Sequence, residues 1–157
     1  MIACKGIDVS SNKLLTEISK ENLPDCIPVI LSGPGFAIDL ANGLPIAVTL
    51  ASKSYTTLES VGDLLASNNF RPYFNDDVIG VQIGGALKNV IAIATGMAIG
   101  KKLGDGAVAS LITRGMNEII MFGMAMGGKK ETFFGLSGLG DLVLTATNLK
   151  SHVLLAD

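Results

Sequence analysis

Apolar positions fall in two regimes along the chain. Up to about residue 76, short apolar runs alternate with amphipathic stretches; beyond it the spacing is helical throughout. Met1-Ile2-Ala3-Cys4 reads as the end of a buried strand, and Lys5-Gly6 as the turn at its carboxyl edge. Ser10 or Ser11 is placed to cap a helix running to about Lys20, with Leu14, Leu15 and Ile18 on one face. Pro24 and Pro28 bracket a connector into Pro28-Val29-Ile30-Leu31, an apolar run of the kind found in parallel sheets covered on both faces. Ser32-Gly33-Pro34-Gly35-Phe36-Ala37 then opens a short helix, Ala37 to Ala41, which Asn42-Gly43 ends. Ile46 to Ala51 predicts a strand, Thr56 to Ser67 a helix with Leu58, Val61, Leu64 and Leu65 inward, and Phe70 to Phe74 a shorter strand. This strand and helix order argues for right-handed crossovers and a mostly parallel sheet.

After Asn75-Asp76 the pattern changes. Asp77 stands where an N-cap belongs, ahead of VIGVQIGGALKNVIAIATGMAIG, residues 78–100. That stretch is apolar for the length of a membrane span, yet Lys88 and Asn89 lie at its middle. A lysine at the centre of a bilayer helix costs roughly 2.5–3.5 kcal/mol, so a span is disfavoured. Two readings of Lys88 stay open. A buried helix can let the amine escape to water along its stem, or the amine can face an enclosed site where desolvation lowers its pKa toward working pH. A helix from about Ala107 to Met126 follows, then shorter pieces after Gly127-Gly128. The expected fold is α/β: a piece of sheet in residues 1–76 and a helical region in residues 77–157.

Composition narrows the partners. The chain has 157 residues with 48% hydrophobic, enough for a core, and its net charge of −2 gives no basis for a nucleic-acid partner. The two cysteines, Cys4 and Cys26, lack zinc-like spacing and follow no secretory leader, which points to reduced thiols in the cytoplasm and to no metal site. Nineteen glycines and no tryptophan describe closely packed small residues.

Polar residues of the helical region are few and clustered: Lys88 and Asn89, Asp105 in a glycine turn, Thr113 and Arg114, and Ser137-Gly138-Leu139-Gly140-Asp141 leading to Thr145. Singly they have plain roles. Arg114 is spaced to pair with Glu118, and Asp141 to cap the helix after it. The Gly-Pro-Gly loop is either an ordinary tight turn or, beyond a strand's carboxyl end, an anion or ribose seat. Together an amine, an amide, a carboxylate and a hydroxyl suit one small hydroxylated substrate.

The ordered motifs SGPGFA, NGLPIAV, GGALKNVIAIATG, LITRGMNEI and GLSGLGDLVLTAT resemble those of the bacterial-type NAD(P)-dependent glycerol-3-phosphate dehydrogenases over nearly the whole chain. The resemblance implies a Rossmann-like nucleotide-binding domain followed by an all-helical substrate domain. It also implies interconversion of sn-glycerol 3-phosphate and dihydroxyacetone phosphate with NAD or NADP, for phospholipid synthesis. By position, Lys88 is implied as proton acceptor and Lys5 as a contact to both cofactor and substrate. Gly33, Gly35, Asn89, Asp141, Thr145 and Ser151 are implied in substrate binding, and Ala37 and His152 on the cofactor side.

Departures from the pattern set further expectations. The chain lacks the glycine-rich loop that cradles a pyrophosphate, and Ser151-His152-Val153 stands where the family has Ser-Arg-Asn. Gly35 replaces a hydroxyl residue and Gly106 an asparagine. The expected protein is thus a segment of such an enzyme, truncated at both ends, working as a homodimer or with a complementing nucleotide-binding chain. The rival reading is a non-catalytic helical module that associates through uncovered apolar faces.

Overall fold

The computed structural model describes residues 1–147. Three strands form one mixed sheet in the order β1 (Ile30–Ser32), β2 (Ile46–Ala51), β3 (Phe70–Asn75). The α/β class is as expected, but the sheet is not mostly parallel. β2 pairs parallel with β3, Ile46 opposite Phe70 through Ala51 opposite Asn75, whereas β1 runs antiparallel to β2 with Leu31 opposite Leu50. Apolar runs specify burial and not direction, and the short α2 (Ala37–Ala41) lets the chain return beside β1 without a crossover. The amino-terminal strand shrinks to a single parallel bridge, Ile2 to Ile30, in which Ile2 N–H donates to Val29 O at 2.7 Å and Leu31 N–H to Ile2 O at 2.8 Å. Met1 and Cys4 are exposed, so Ile2 alone lies against the sheet.

The first helix, α1 (Leu15–Asn22), begins later than expected. Ser10 and Ser11 donate to the Asp8 carboxylate instead, and Glu17 caps the helix by accepting from Leu14 N–H at 2.7 Å. In α3 (Tyr55–Leu65), Ser54 caps the start and Leu58 is buried, while Leu64 is 83% exposed and not inward. Val29, Leu50 and Leu58 close the core between α3 and the sheet.

The organising element is α4 (Val78–Gly100), capped by Asp77, whose carboxylate accepts from Gly80 N–H at 2.9 Å and Lys129 N–H at 2.7 Å. That second bond fastens the start of α4 to the segment entering α6 (Lys130–Phe133). Val78 and Val81 pack against Ile30 and Ala51 of the sheet. Further along, Ile83 joins Met116, Ile119 and Ile120 of α5 (Asp105–Ala125), Phe133 of α6, and Leu142 and Ala146 of α7 (Asp141–Thr147) in the largest core. Burying each of the larger of these side chains contributes about 1.5–3 kcal/mol. α4 is long and apolar enough to cross a membrane by composition. Its buried Gln82 is nevertheless fully engaged, donating to Thr16 Oγ1 and Val78 O, both at 2.9 Å, and accepting from Thr16 N–H at 3.1 Å.

Candidate active site

Lys88 points inward. It is 8% exposed, and its amine donates to one oxygen of Asp141 and, at 2.9 Å, to Thr145 Oγ1. Lys5 donates to the other oxygen of the same carboxylate, and Thr145 Oγ1 donates to Asp141 O at 2.7 Å. Asp141 is 1% exposed, whereas the Lys5 side chain is 26% exposed and reaches the cluster from the surface. Two amines thus share one buried carboxylate, leaving excess positive charge for an anionic or electron-rich ligand. Burial pushes the Lys88 amine below the ordinary lysine range; the Asp141 hydrogen bond opposes that shift, and the Lys5 charge adds to it.

Glycines make the arrangement possible. The loop before α7 is a π-helical turn, Leu136–Gly140, that aims Asp141 at α4. A Cβ on Gly84 would lie 2.8 Å from Ser137 O, so only glycine lets that turn sit on the helix. A Cβ on Gly85 would lie 3.4 Å from Cγ and Cδ of Lys5, whose stem crosses the helix there. Gly33 has φ +145°, and a Cβ there would come within 3.0 Å of Val48 Cα. The Gly-Pro-Gly loop and the π-turn meet, since a Cβ on Gly140 would be 3.4 Å from Pro34 Cγ.

Not every expected residue converges. Lys5, Lys88, Asp141 and Thr145 form the polar cluster. Gly33, Gly35 and Ala37 line a neighbouring pocket of about 230 Å³ beyond the carboxyl end of β1, with Lys5 at its edge and Ile46, Val48 and Phe70 as apolar walls. Asn89 is exposed on α4, a residue round the helix from Lys88, and its side chain makes no hydrogen bond among the described residues. Ser151 and His152 lie outside the described residues. No Arg114–Glu118 ion pair forms among the described residues. Among those residues no group of three or more His, Cys, Asp or Glu side chains is placed to hold a metal.

The Lys5–Asp141 pairing is absent from the sequence reading, because the two are 136 positions apart and only the fold joins them. The buried hydroxyl of Ser32 is missed too, although it directly precedes Gly33. The Gly84-Gly85 pair one turn before Lys88 is the signal that other segments approach the helix closely there.

A buried amine on a helical layer packed against a sheet piece marks an α/β protein, the class in which ligands commonly bind beyond the carboxyl ends of strands. Two family models match the chain: "NAD-dependent glycerol-3-phosphate dehydrogenase N-terminus" matches residues 1–58 and the corresponding C-terminus model matches residues 77–153. The chain belongs to the NAD-dependent glycerol-3-phosphate dehydrogenase family. It is similar to glycerol-3-phosphate dehydrogenase [NAD(P)+] of Parvibaculum lavamentivorans, 48% identical over 97% of this chain and 46% of the relative. The Afipia carboxidovorans enzyme of that name is 51% identical over 97% of this chain and 47% of the relative. The crystal structure of glycerol-3-phosphate dehydrogenase from Coxiella burnetii superposes with a TM-score of 0.91 at 44% identity, covering 95% of this chain and 46% of that one. The chain therefore spans about half the length of the curated relatives it matches.

Proposed function

We propose that this chain carries the substrate-holding and proton-exchanging portion of an NAD(P)-dependent glycerol-3-phosphate dehydrogenase. The reaction is the interconversion of sn-glycerol 3-phosphate and dihydroxyacetone phosphate, feeding glycerophospholipid synthesis in the cytoplasm. Residues 1–76 are read as part of the nucleotide-binding domain and residues 77–157 as part of the substrate domain. The observation that carries the reading is the Lys88 amine, buried and held between Asp141 and Thr145.

Lys88 takes the proton of the C2 hydroxyl, and in reverse its ammonium donates to the C2 carbonyl oxygen. Its depressed pKa makes the neutral acceptor form accessible below the ordinary lysine range. Asp141 holds Lys88 in place, and Lys5, free to leave the carboxylate for solvent, contacts an anionic substrate. Gly33, Gly35 and Ala37 line the pocket between substrate and cofactor; Asn89, Ser151 and His152 complete the assignment carried by the resemblance. A pocket of about 230 Å³ with apolar walls fits the ring end of a nicotinamide cofactor and not a whole dinucleotide. Lys5 and Ala37 would hold that end, where the cofactor supplies hydride acceptance or donation. The remainder of the cradle would come from a complementing chain or further sequence.

Titration calorimetry with dihydroxyacetone phosphate tests the reading. The unaltered chain should bind it saturably, and a Lys88→Ala variant should bind at least about tenfold more weakly. With NADH and a separately expressed chain bearing a glycine-rich nucleotide loop, turnover should appear and vanish in Lys88→Ala. Turnover undiminished in that variant removes the assigned role.

One observation favours a second reading, an association module. Val90, Ile93 and Met97 are 60%, 45% and 60% exposed along one side of α4, an apolar stripe able to pair two copies or to seat another chain. Sedimentation together with the same titration separates the two, since a module associates without binding the phosphate ester.

A further inference from the structure

Among the described residues, the Ser32 hydroxyl is the only buried side-chain oxygen or nitrogen without a hydrogen-bond partner. Ser32 is 2% exposed and stands at the carboxyl end of β1, directly before Gly33. Leaving such a donor unpaired costs about 1–3 kcal/mol, a cost folded proteins rarely carry without a reason.

Its surroundings point to the reason. Ser32 Oγ lies 3.2 Å from where a Cβ on Gly85 would stand, and the Lys5 stem lies 3.4 Å from that same point. Gly85 precedes Lys88 by three residues, so the hydroxyl meets α4 about one turn before the residue that carries the reactive amine. Ser32 also lines the pocket of Gly33, Gly35 and Ala37. It also borders a cavity of only about 10 Å³ lined by Leu15, Ile30, Leu31 and Val81 together with Lys5 and Gln82. That is at the lower limit for one water and is mostly apolar. The Lys5 stem, flexible and partly exposed, is its neighbour at Gly85 and lines the same pocket.

Resting on the functional reading above, we propose that Ser32 is a substrate-specificity residue. When Lys5 leaves Asp141 for an anionic ligand, the Ser32 hydroxyl donates to the free C1 hydroxyl of the three-carbon phosphate ester. Lys88 holds the neighbouring C2 oxygen. A neutral donor suits a hydroxyl where the Lys5 cation suits the phosphate. A donor held unpaired for a ligand weakens the free protein and strengthens the complex.

The test is a two-by-two cycle by titration calorimetry, with wild type and Ser32→Ala against dihydroxyacetone phosphate and acetol phosphate, which lacks the C1 hydroxyl. Ser32→Ala should weaken dihydroxyacetone phosphate binding about five- to twentyfold and leave acetol phosphate binding unchanged. The same substitution should raise the melting temperature of the ligand-free chain by about 2–4 °C. Equal losses for both ligands, or no loss for either, overturn the proposal while the functional reading stands. A lowered melting temperature with unchanged affinities also overturns it, by showing a hydroxyl already satisfied by internal water. If the unaltered chain binds neither ester, the functional reading itself fails and this assignment with it.

Discussion

The two halves of α4 are alike in composition and opposite in circumstance. From Val78 to Lys88 nearly every residue is buried, polar Gln82 and Lys88 included, because the sheet, the segment before α1, the π-turn and α7 enclose the helix. From Asn89 to Gly100 only Ala92, Thr95 and Ala98 are buried, while Val90, Ile93 and Met97 face outward. Hydropathy does not distinguish the halves, so what surrounds a helix, more than what composes it, decides where a charge has consequences. Lys88 sits at the junction, enclosed enough to be desolvated and close enough to the edge for a ligand to reach.

The sharpest way to break this comparison is to remove the carboxylate that makes Lys88 tolerable. Asp141→Ala leaves a buried ammonium without its partner, and we expect a loss of about 3–5 kcal/mol in chemical denaturation. Lys5 loses the same partner at little cost because it can turn to solvent. Lys88→Met, which keeps the volume and leaves Asp141 paired with Lys5, should be near neutral in stability while abolishing ligand binding. If Asp141→Ala costs under about 1 kcal/mol, the amine is not enclosed as described.

Glycine substitutions probe the same contrast on a smaller scale. Gly84→Ala improves helix propensity by up to about 1 kcal/mol but drives a methyl toward Ser137 O, 2.8 Å away, so a net cost of about 1–2 kcal/mol is expected. It should also weaken ligand binding, since the displaced turn carries Asp141. Gly100→Ala meets nothing within 4 Å and should gain about 0.5 kcal/mol without touching binding. Thermal unfolding of both variants checks the pair, and equal effects would erase the distinction between the halves.

Proton linkage gives a subtler measure of enclosure. Burial lowers the folded-state pKa of Lys88 below 10.5, the value for an unhindered lysine. Between the two values the unfolded chain binds more protons than the folded one, so stability contributed through Lys88 rises with pH across that window and is lost as pH falls through the folded value. The difference in unfolding free energy between wild type and Lys88→Met should therefore shift in favour of wild type as pH approaches 10.5. A pH-independent difference would mean an unperturbed amine.

Much of this was legible in the residues, and the misses have physical causes. Asp77 as cap and the bounds of α2, β2 and α4 followed from local signals: a cap residue, a glycine stop, an uninterrupted apolar run. Lys88 stood out because an amine amid small apolar residues is costly anywhere. Strand direction was not legible, since burial patterns are the same for β1 in either orientation. Leu64 was misplaced because periodicity names an apolar face without saying how wide a surface covers it. The pairing of Lys5 with Asp141 and the stranded hydroxyl of Ser32 exist only once distant segments meet, beyond the reach of any local pattern.

The smallest expected effect completes the contrast by moving the same amine to the other half of the helix. Met97 is 60% exposed and lies in the last turn of α4, where a cation is favoured by the carboxyl-terminal end of the helix dipole. Met97→Lys should change stability by no more than about 0.5 kcal/mol in either direction, with ligand binding intact. It also places a charge in the Val90–Ile93–Met97 stripe, so any self-association through that face should weaken in sedimentation at low salt and partly recover at high salt. A loss above about 1 kcal/mol would show that the carboxyl-terminal half is as closely covered as the amino-terminal half, and the position of Lys88 would no longer mark a boundary.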